Sequence, residues 1–276
     1  MINAPGIYKD LPNELYHKSS GISNSGLGLL IPPNCPKMYW YKYLSGQYER
    51  KESDEFVIGS AVHTLCLEPE KFDSMYYTMP KVDRRTTAGR EEYARMELQN
   101  AGMQALNIEQ MAQVKSMSDA VTSHAMFKKL HGKGCVEDSI AWIDAESGAL
   151  LRTRPDFYNE FLILDVKTTK DVRAHSFSRS IYDYGYHRQG AMACDGLTTI
   201  TGTNYDKVVL FVVSKEPPYL VKAYVLTEAA LEKGREEYKI GAKIYQQCLE
   251  ANEWPGYEEI IEDVDLPYWA YNEEHI

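Results

Sequence analysis

The strongest constraint on this chain lies between Arg152 and Lys167. There the apolar run Leu162-Ile-Leu164 ends in Asp165, Val166 and Lys167, with Asp165 nine residues after Asp156 of Pro155-Asp156. An apolar run of this length reads as a buried strand. Strand alternation then sends Asp165 and Lys167 to one face and Val166 to the other. Ser139–Asp144 alternates, Glu146-Ser-Gly148 makes a turn, and Leu150–Arg154 returns, so a hairpin leads into the motif. Two carboxylates and a lysine at a strand end suit a divalent metal with a charged, phosphate-like reactant. On its own the pattern is more often a solvent-facing salt bridge.

The rest of the chain supplies the frame. Phe56–Leu67 is predicted helical, with small residues Gly59, Ser60 and Ala61, and it carries His63. His63-x-x-Cys66 without a second pair is a weak zinc signature. Residues 90–131 read as two or three helices, with Ile108, Met111, Val114, Met117 and Val121 as one apolar face. Thr86–Gly89 reads as a flexible loop and Ala174–Met192 as one long helix despite Gly185. Val208–Val213 reads as a buried strand, Leu220–Leu226 as another, and Thr227 as the cap of a final helix to about Leu249. This order of elements implies an α/β fold: one mixed β-sheet flanked by helices, behind a helical N-terminal portion. The division is a single domain over 1–276, with a mainly helical portion (1–131), an α/β core (132–251) and an acidic tail (252–276).

Of the 276 residues 44% are hydrophobic, and no apolar run approaches the roughly 20 residues of a membrane span. No secretory signal opens the chain, and five scattered cysteines suit reduced thiols in the cytoplasm. The net charge of −10 is uneven. Eight acids and no Lys or Arg occupy 252–276, whereas seven bases face five acids between Leu151 and Gly190. A basic site on an acidic protein is compatible with DNA. Ser23 or Ser25, capping a short helix before Pro32-Pro33, and the Arg84-Arg85 loop are candidates for gripping a DNA end.

Pro155-Asp156, eight residues, then Asp165-Val166-Lys167 resembles the PD-(D/E)XK nuclease signature. Further stretches resemble the nuclease domain of RecE-type exonucleases (exonuclease VIII) along nearly the whole chain. They include Asn3-Ala-Pro-Gly-Ile-Tyr8, Asn13-Glu-x-Tyr-His17, Gly59-x-Ala-x-His63, Leu67-Glu-Pro-Glu70 and Arg84-Arg-Thr-x-Ala-Gly89. Asp165-Val-Lys-Thr-Thr169, Tyr182-Asp-Tyr184, Tyr186-His187 with Gln189, and Glu253-Trp-Pro255 complete the set. The resemblance covers only the nuclease portion of the long RecE form.

It implies a restriction-endonuclease-like core in which His63, Asp156, Asp165 and the Val166 backbone carbonyl hold the metal. Lys167 and Gln189 would be the catalytic pair, and Glu137 a water-mediated contact to the metal. Where many RecB-like relatives carry a tyrosine four residues after the glutamine, this chain has Ala193. The cofactor implied is Mg²⁺, with Mn²⁺ able to substitute. Cys194 and Cys248 are too few and too far apart for an iron–sulfur cluster. The activity implied is 5′ to 3′ digestion of linear double-stranded DNA, leaving 3′ single strands for recombination with a RecT-like annealing protein. A phage or prophage setting in a bacterial cytoplasm and a ring homo-oligomer, a tetramer ahead of a trimer, go with it. The competing readings are a structure-specific or restriction-like endonuclease and a non-catalytic DNA-end-binding module.

Overall fold

Two neighbouring apolar strands, Ile163–Thr169 and Val208–Ser214, decide the architecture. They run parallel, with Asp165 beside Leu210 and Lys167 beside Val212. Successive side chains alternate faces, so Ile163, Val208, Leu210 and Val212 enter one core, and Leu164, Val166, Val209, Phe211 and Val213 enter another. Burial on both faces is the reason Val208–Val213 is apolar without a break.

The computed structural model describes residues 1–49 and 53–271. The first half comprises β1 (Gly6–Tyr8), α1 (Asn13–His17), α2 (Asn24–Leu27) and α3 (Pro36–Tyr39), which runs into a π-helical turn at Trp40–Leu44. Next come α4 (Asp54–Leu67), α5 (Pro69–Met75), β2 (Tyr76–Met79), α6 (Thr87–Gln99), β3 (Gln104–Asn107), α7 (Ile108–Ser123) and α8 (Ala125–Leu130). The second half comprises β4 (Cys135–Val136), β5 (Ser139–Ile143), β6 (Leu150–Thr153), β7 (Phe157–Tyr158) and β8 (Ile163–Thr169). It continues with α9 (Ala174–Asp183), α10 (Tyr186–Thr201), β9 (Val208–Ser214), β10 (Val221–Val225) and α11 (Glu228–Ala251).

The main sheet has the order β10-β9-β8-β7-β4, mixed because β8 and β9 are parallel while the other neighbours are antiparallel. Helices α4, α5, α7 and α8 cover the Val166 face; α2, α9, α10 and α11 cover the Asp165 face. The fold is therefore the mixed α/β arrangement that the sequence implies, with α4, α5, α7 and α8 on one side. Beside the main sheet stand a three-stranded sheet, β1-β5-β6, and a parallel β2-β3 pair, neither of them resolved by reading one sheet from the sequence. The N-terminal arm supplies β1, pairing Gly6 with Ala141.

Three local expectations need correction. Residues 174–192 are not one helix: Gly185, at φ +65°, separates α9 from α10. Residues 86–89 are the cap and first turn of α6, where the Thr86 hydroxyl accepts the Gly89 N–H at 3.0 Å. The apolar stripe on α7 holds from Met111 to Val121, but Ile108 is half exposed. By contrast, Thr227 caps α11, accepting the Ala230 N–H at 3.2 Å. Close approach of α10 to α11 depends on Gly234, where a Cβ would lie 2.5 Å from the His187 carbonyl oxygen.

Candidate active site

His63 comes from α4, which lies against β8: a Cβ on Gly59 would sit in ordinary contact, 3.8 Å from Thr168 Oγ1. The ring reaches Asp156, in the turn before β7, with Nδ1 3.1 Å from Oδ2. The same Oδ2 accepts the Val166 N–H at 2.7 Å, pinning Asp156 across the β7–β8 pairing. Glu137 follows β4 in left-handed backbone (φ +53°), and its N–H donates to the Asp156 carbonyl at 3.1 Å. One ligand atom from each of His63, Glu137 and Asp156 lies within 4.8 Å of the other two.

Asp165 lies beside this trio rather than in it. Its Oδ1 accepts from Gln189 Nε2 at 3.2 Å, and its Oδ2 meets the Lys167 ammonium. Lys167 Nζ also stands 4.7 Å from the centre of the Tyr186 ring. Tyr186 and Gln189 are three residues apart in the first turn of α10, so one helix start supplies both partners of the Asp165–Lys167 pair. Ala193, one turn further, lines a crevice of about 10 Å³ with Asp165, Tyr186 and Gln189. The aromatic ring beside Lys167 thus comes from the turn before Gln189.

The electrostatics are those of crowded acids. Burial, then Asp165 and Glu137, hold the Asp156 carboxyl well above the usual range, against Lys167 and the Val166 N–H. Glu137 is pushed up to about 7 by burial, with Glu68 and Asp165 adding to it and Arg154 and Lys167 opposing. Burial and the nearby Lys167 cation push His63 down to about 4, so its imidazole is neutral at neutral pH. For Lys167 burial disfavours the charge, but the Asp165 and Asp156 carboxylates outweigh it and the ammonium is held charged. A neutral ring nitrogen and converging carboxylates, mutually repelling until a cation joins them, form a donor set that suits a divalent metal.

The structure therefore brings His63, Asp156, Asp165, Val166, Lys167 and Gln189 together. Glu137 stands nearer than the sequence reading placed it, within direct reach of a shared ion. No spacing rule marks Glu137; its left-handed backbone and its bond to Asp156 are visible only after folding.

The DNA-end candidates separate into two groups. Ser23 occupies the cap position of α2 without a capping side-chain bond, and Ser25 is exposed on the first turn. Asn24 between them accepts from Arg188 Nε at 2.6 Å and donates to the Gly185 carbonyl at 3.3 Å, which docks α2 on the start of α10. Arg188 also donates to Glu237 at 3.1 Å. Arg84 and Arg85 stay local: Arg84 covers the Tyr93 ring at 4.2 Å and exposed Arg85 lies 3.4 Å from Asp83. Both contacts stay within residues 83–93 and neither involves the carboxylates of the site. Several bases near the motif are engaged as well, with Arg152 and Arg154 lying over the Tyr16 ring at 4.6 and 4.2 Å.

The sequence matches the PDDEXK-like domain of unknown function (DUF3799) over residues 29–267. No curated protein matches it. The crystal structure of a "Putative exonuclease" from Eubacterium rectale is similar at a TM-score of 0.62 with 14% identity, over 97% of this chain and 100% of that one. At that identity the likeness shows the fold. A structure of SSO0001 aligns at 12% identity over 74% of this chain and 83% of that one, with a TM-score of 0.27, too low to carry an argument. With the family match spanning most of the chain and the acids, histidine and lysine gathered at one strand end, the chain belongs to the PDDEXK-like DUF3799 family.

Proposed function

We propose that this protein is a Mg²⁺-dependent exonuclease that degrades linear double-stranded DNA from 5′ to 3′ and leaves 3′ single strands. One observation carries the reading: the His63–Asp156–Glu137 donor set stands beside a Lys167–Asp165 pair braced by Gln189. His63, Asp156, Glu137, Asp165 and the Val166 carbonyl would hold the ion, and Mn²⁺ would substitute for Mg²⁺. When bound, the metal supplies a polarised phosphate oxygen and a more acidic water.

The chain's own residues do the rest. Lys167, kept charged between carboxylates, acts as a cation toward the phosphate rather than as a base, orienting the attacking water and steadying charge on the phosphorus oxygens. Gln189 holds Asp165, whose other oxygen meets Lys167, and from there Asp165 would help hold the ion. Neutral His63 offers a lone pair without adding a competing positive charge.

The wider setting extends the same proposal: one nuclease domain in a bacterial cytoplasm, double-stranded DNA ends as substrate, a RecT-like annealing partner, and a ring with four copies favoured over three. Among the described residues no helix is long and apolar enough to cross a membrane.

The test is digestion of linear duplex labelled at either end, with and without Mg²⁺, with 5′-phosphate or 5′-hydroxyl termini, beside a covalently closed circle. Release of label from the 5′ end of linear DNA alone is expected. Equal cutting of closed circles would replace the exonuclease with an endonuclease on the same core. Binding of ends without cleavage in either metal would leave only an end-binding module.

A further inference from the structure

The segment after α11 takes no part in that chemistry, and its pattern is unusual. Its root is fixed: the Lys37 N–H donates to the Pro255 carbonyl at 2.9 Å, and Trp254 stacks on Tyr39 with ring centroids 5.2 Å apart. Beyond it, Tyr257, Ile260, Ile261 and Val264 recur at the spacing of one helical face, while Glu258, Glu259, Glu262, Asp263 and Asp265 fill the other. Leu266 alone falls outside the stripe. Residues 257–267 nevertheless form neither helix nor strand, and Ile261 and Val264 are 101% and 95% exposed. An amphipathic stretch left bare in the single chain is one that folds when it meets a complementary groove.

Such a groove lies on the same molecule. About 390 Å³ opens between α9, the edge strand β10 and the start of α11, lined by Phe177, Ile181, Tyr224, Val225, Leu226 and Ala230. Val225 is 63% exposed there. Lys233 stands on the rim, 3.3 Å from Glu236, so one cation borders the apolar floor.

The segment cannot fill its own groove. From Ala230 to Ala251 α11 rises by about 32 Å at 1.5 Å per residue. The tail departs at Gly256, just after Trp254, whose ring lies 6.1 Å from that of Tyr245, still about 22 Å along the helix from Ala230. Four residues to Ile260 span about 13 Å even fully extended, and less as a helix.

We infer that Tyr257–Leu266 of one copy folds as an amphipathic helix in the α9–β10–α11 groove of a second copy. The contact joins two different surfaces, so repetition builds a closed ring or a growing chain rather than a two-fold dimer. It stands apart from the nuclease reading and would survive the failure of that reading.

Light scattering coupled to size exclusion tests it on the full chain, an Ile261→Asp/Val264→Asp variant and a Val225→Asp variant. The wild type is expected above the mass of one 31.5 kDa chain, and each variant at that mass, with helical circular dichroism lower than the wild type's by no more than the helix of residues 257–266. Mixing the two variants restores one intact tail and one intact groove, and should yield two-chain species and nothing larger. A monomeric wild type, variants that keep the wild-type mass, or a mixture that stays monomeric would each overturn the inference. A wild type that enlarges only with an added basic protein would do the same, by assigning the tail to another partner.

Discussion

Glu137→Gln isolates what the acids cost the fold when no metal is bound. The glutamine keeps the side-chain volume and the backbone bond to the Asp156 carbonyl, and removes one charge from the group within 4.8 Å of His63 and Asp156. Burial, Glu68 and Asp165 raise the Glu137 carboxyl from 4.5 to about 7. At about 1.36 kcal/mol per pH unit, that rise corresponds to about 3 kcal/mol. The sign follows from proton linkage: the folded state holds the proton more tightly than the unfolded chain, so stability falls as pH rises from 4.5 to 7. The penalty is complete above pH 7 and shrinks below about 1 kcal/mol near pH 5. In EDTA at pH 8 the variant should melt higher than the wild type by about 5–10 °C, and by much less at pH 5. Added Mg²⁺ or Mn²⁺ should stabilise the wild type more than the variant. A variant no more stable at pH 8, or equally stabilised at both pH values, would refute the picture of repelling carboxylates.

Three further outcomes bear on the site. Asp156→Ala, Asp165→Ala and Lys167→Ala should each lower cleavage by at least about 10³-fold with the circular dichroism spectrum retained; near-wild-type hydrolysis in any of them contradicts the assignment. For His63→Ala a loss of about 10–100-fold is expected, partly recovered when Mn²⁺ replaces Mg²⁺, and full activity in Mg²⁺ would remove His63 from the ligand set. Gly185→Val places a Cβ 2.4 Å from Arg188 Nη2 on backbone at φ +65°. It should cost about 1–3 kcal/mol and slow cleavage by shifting Tyr186 and Gln189; an unchanged melting curve would show that glycine is not required there.

Whatever depends on alternation along one strand was legible before folding. Asp165, Val166 and Lys167 occupy the faces that a two-residue period assigns, because β8 is buried on both sides and its register leaves no freedom. Helix caps such as Thr227 were legible for a similar reason: a hydroxyl three residues before a free N–H needs no tertiary context. The break between α9 and α10 was not. Local propensity carries the helix through Gly185, since glycine inside a helix costs only about 1 kcal/mol. What favours the break is the docking of the Gly185 carbonyl and Arg188 on Asn24, and of Arg188 on Glu237, residues far away in sequence. Glu137 was placed only as a water-mediated contact for the same kind of reason, since its nearer position comes from a left-handed backbone bonded to Asp156. The break at Gly185 has a chemical consequence. It turns the start of α10 toward the β8 end, so that Tyr186 and Gln189 both meet the Asp165–Lys167 pair, and Asn24 brings the Ser23–Ser25 segment to the same corner. An unbroken helix over 174–192 would have no free first turn to offer. The residues that aim Lys167 are therefore set by a junction that three separate parts of the chain must complete together.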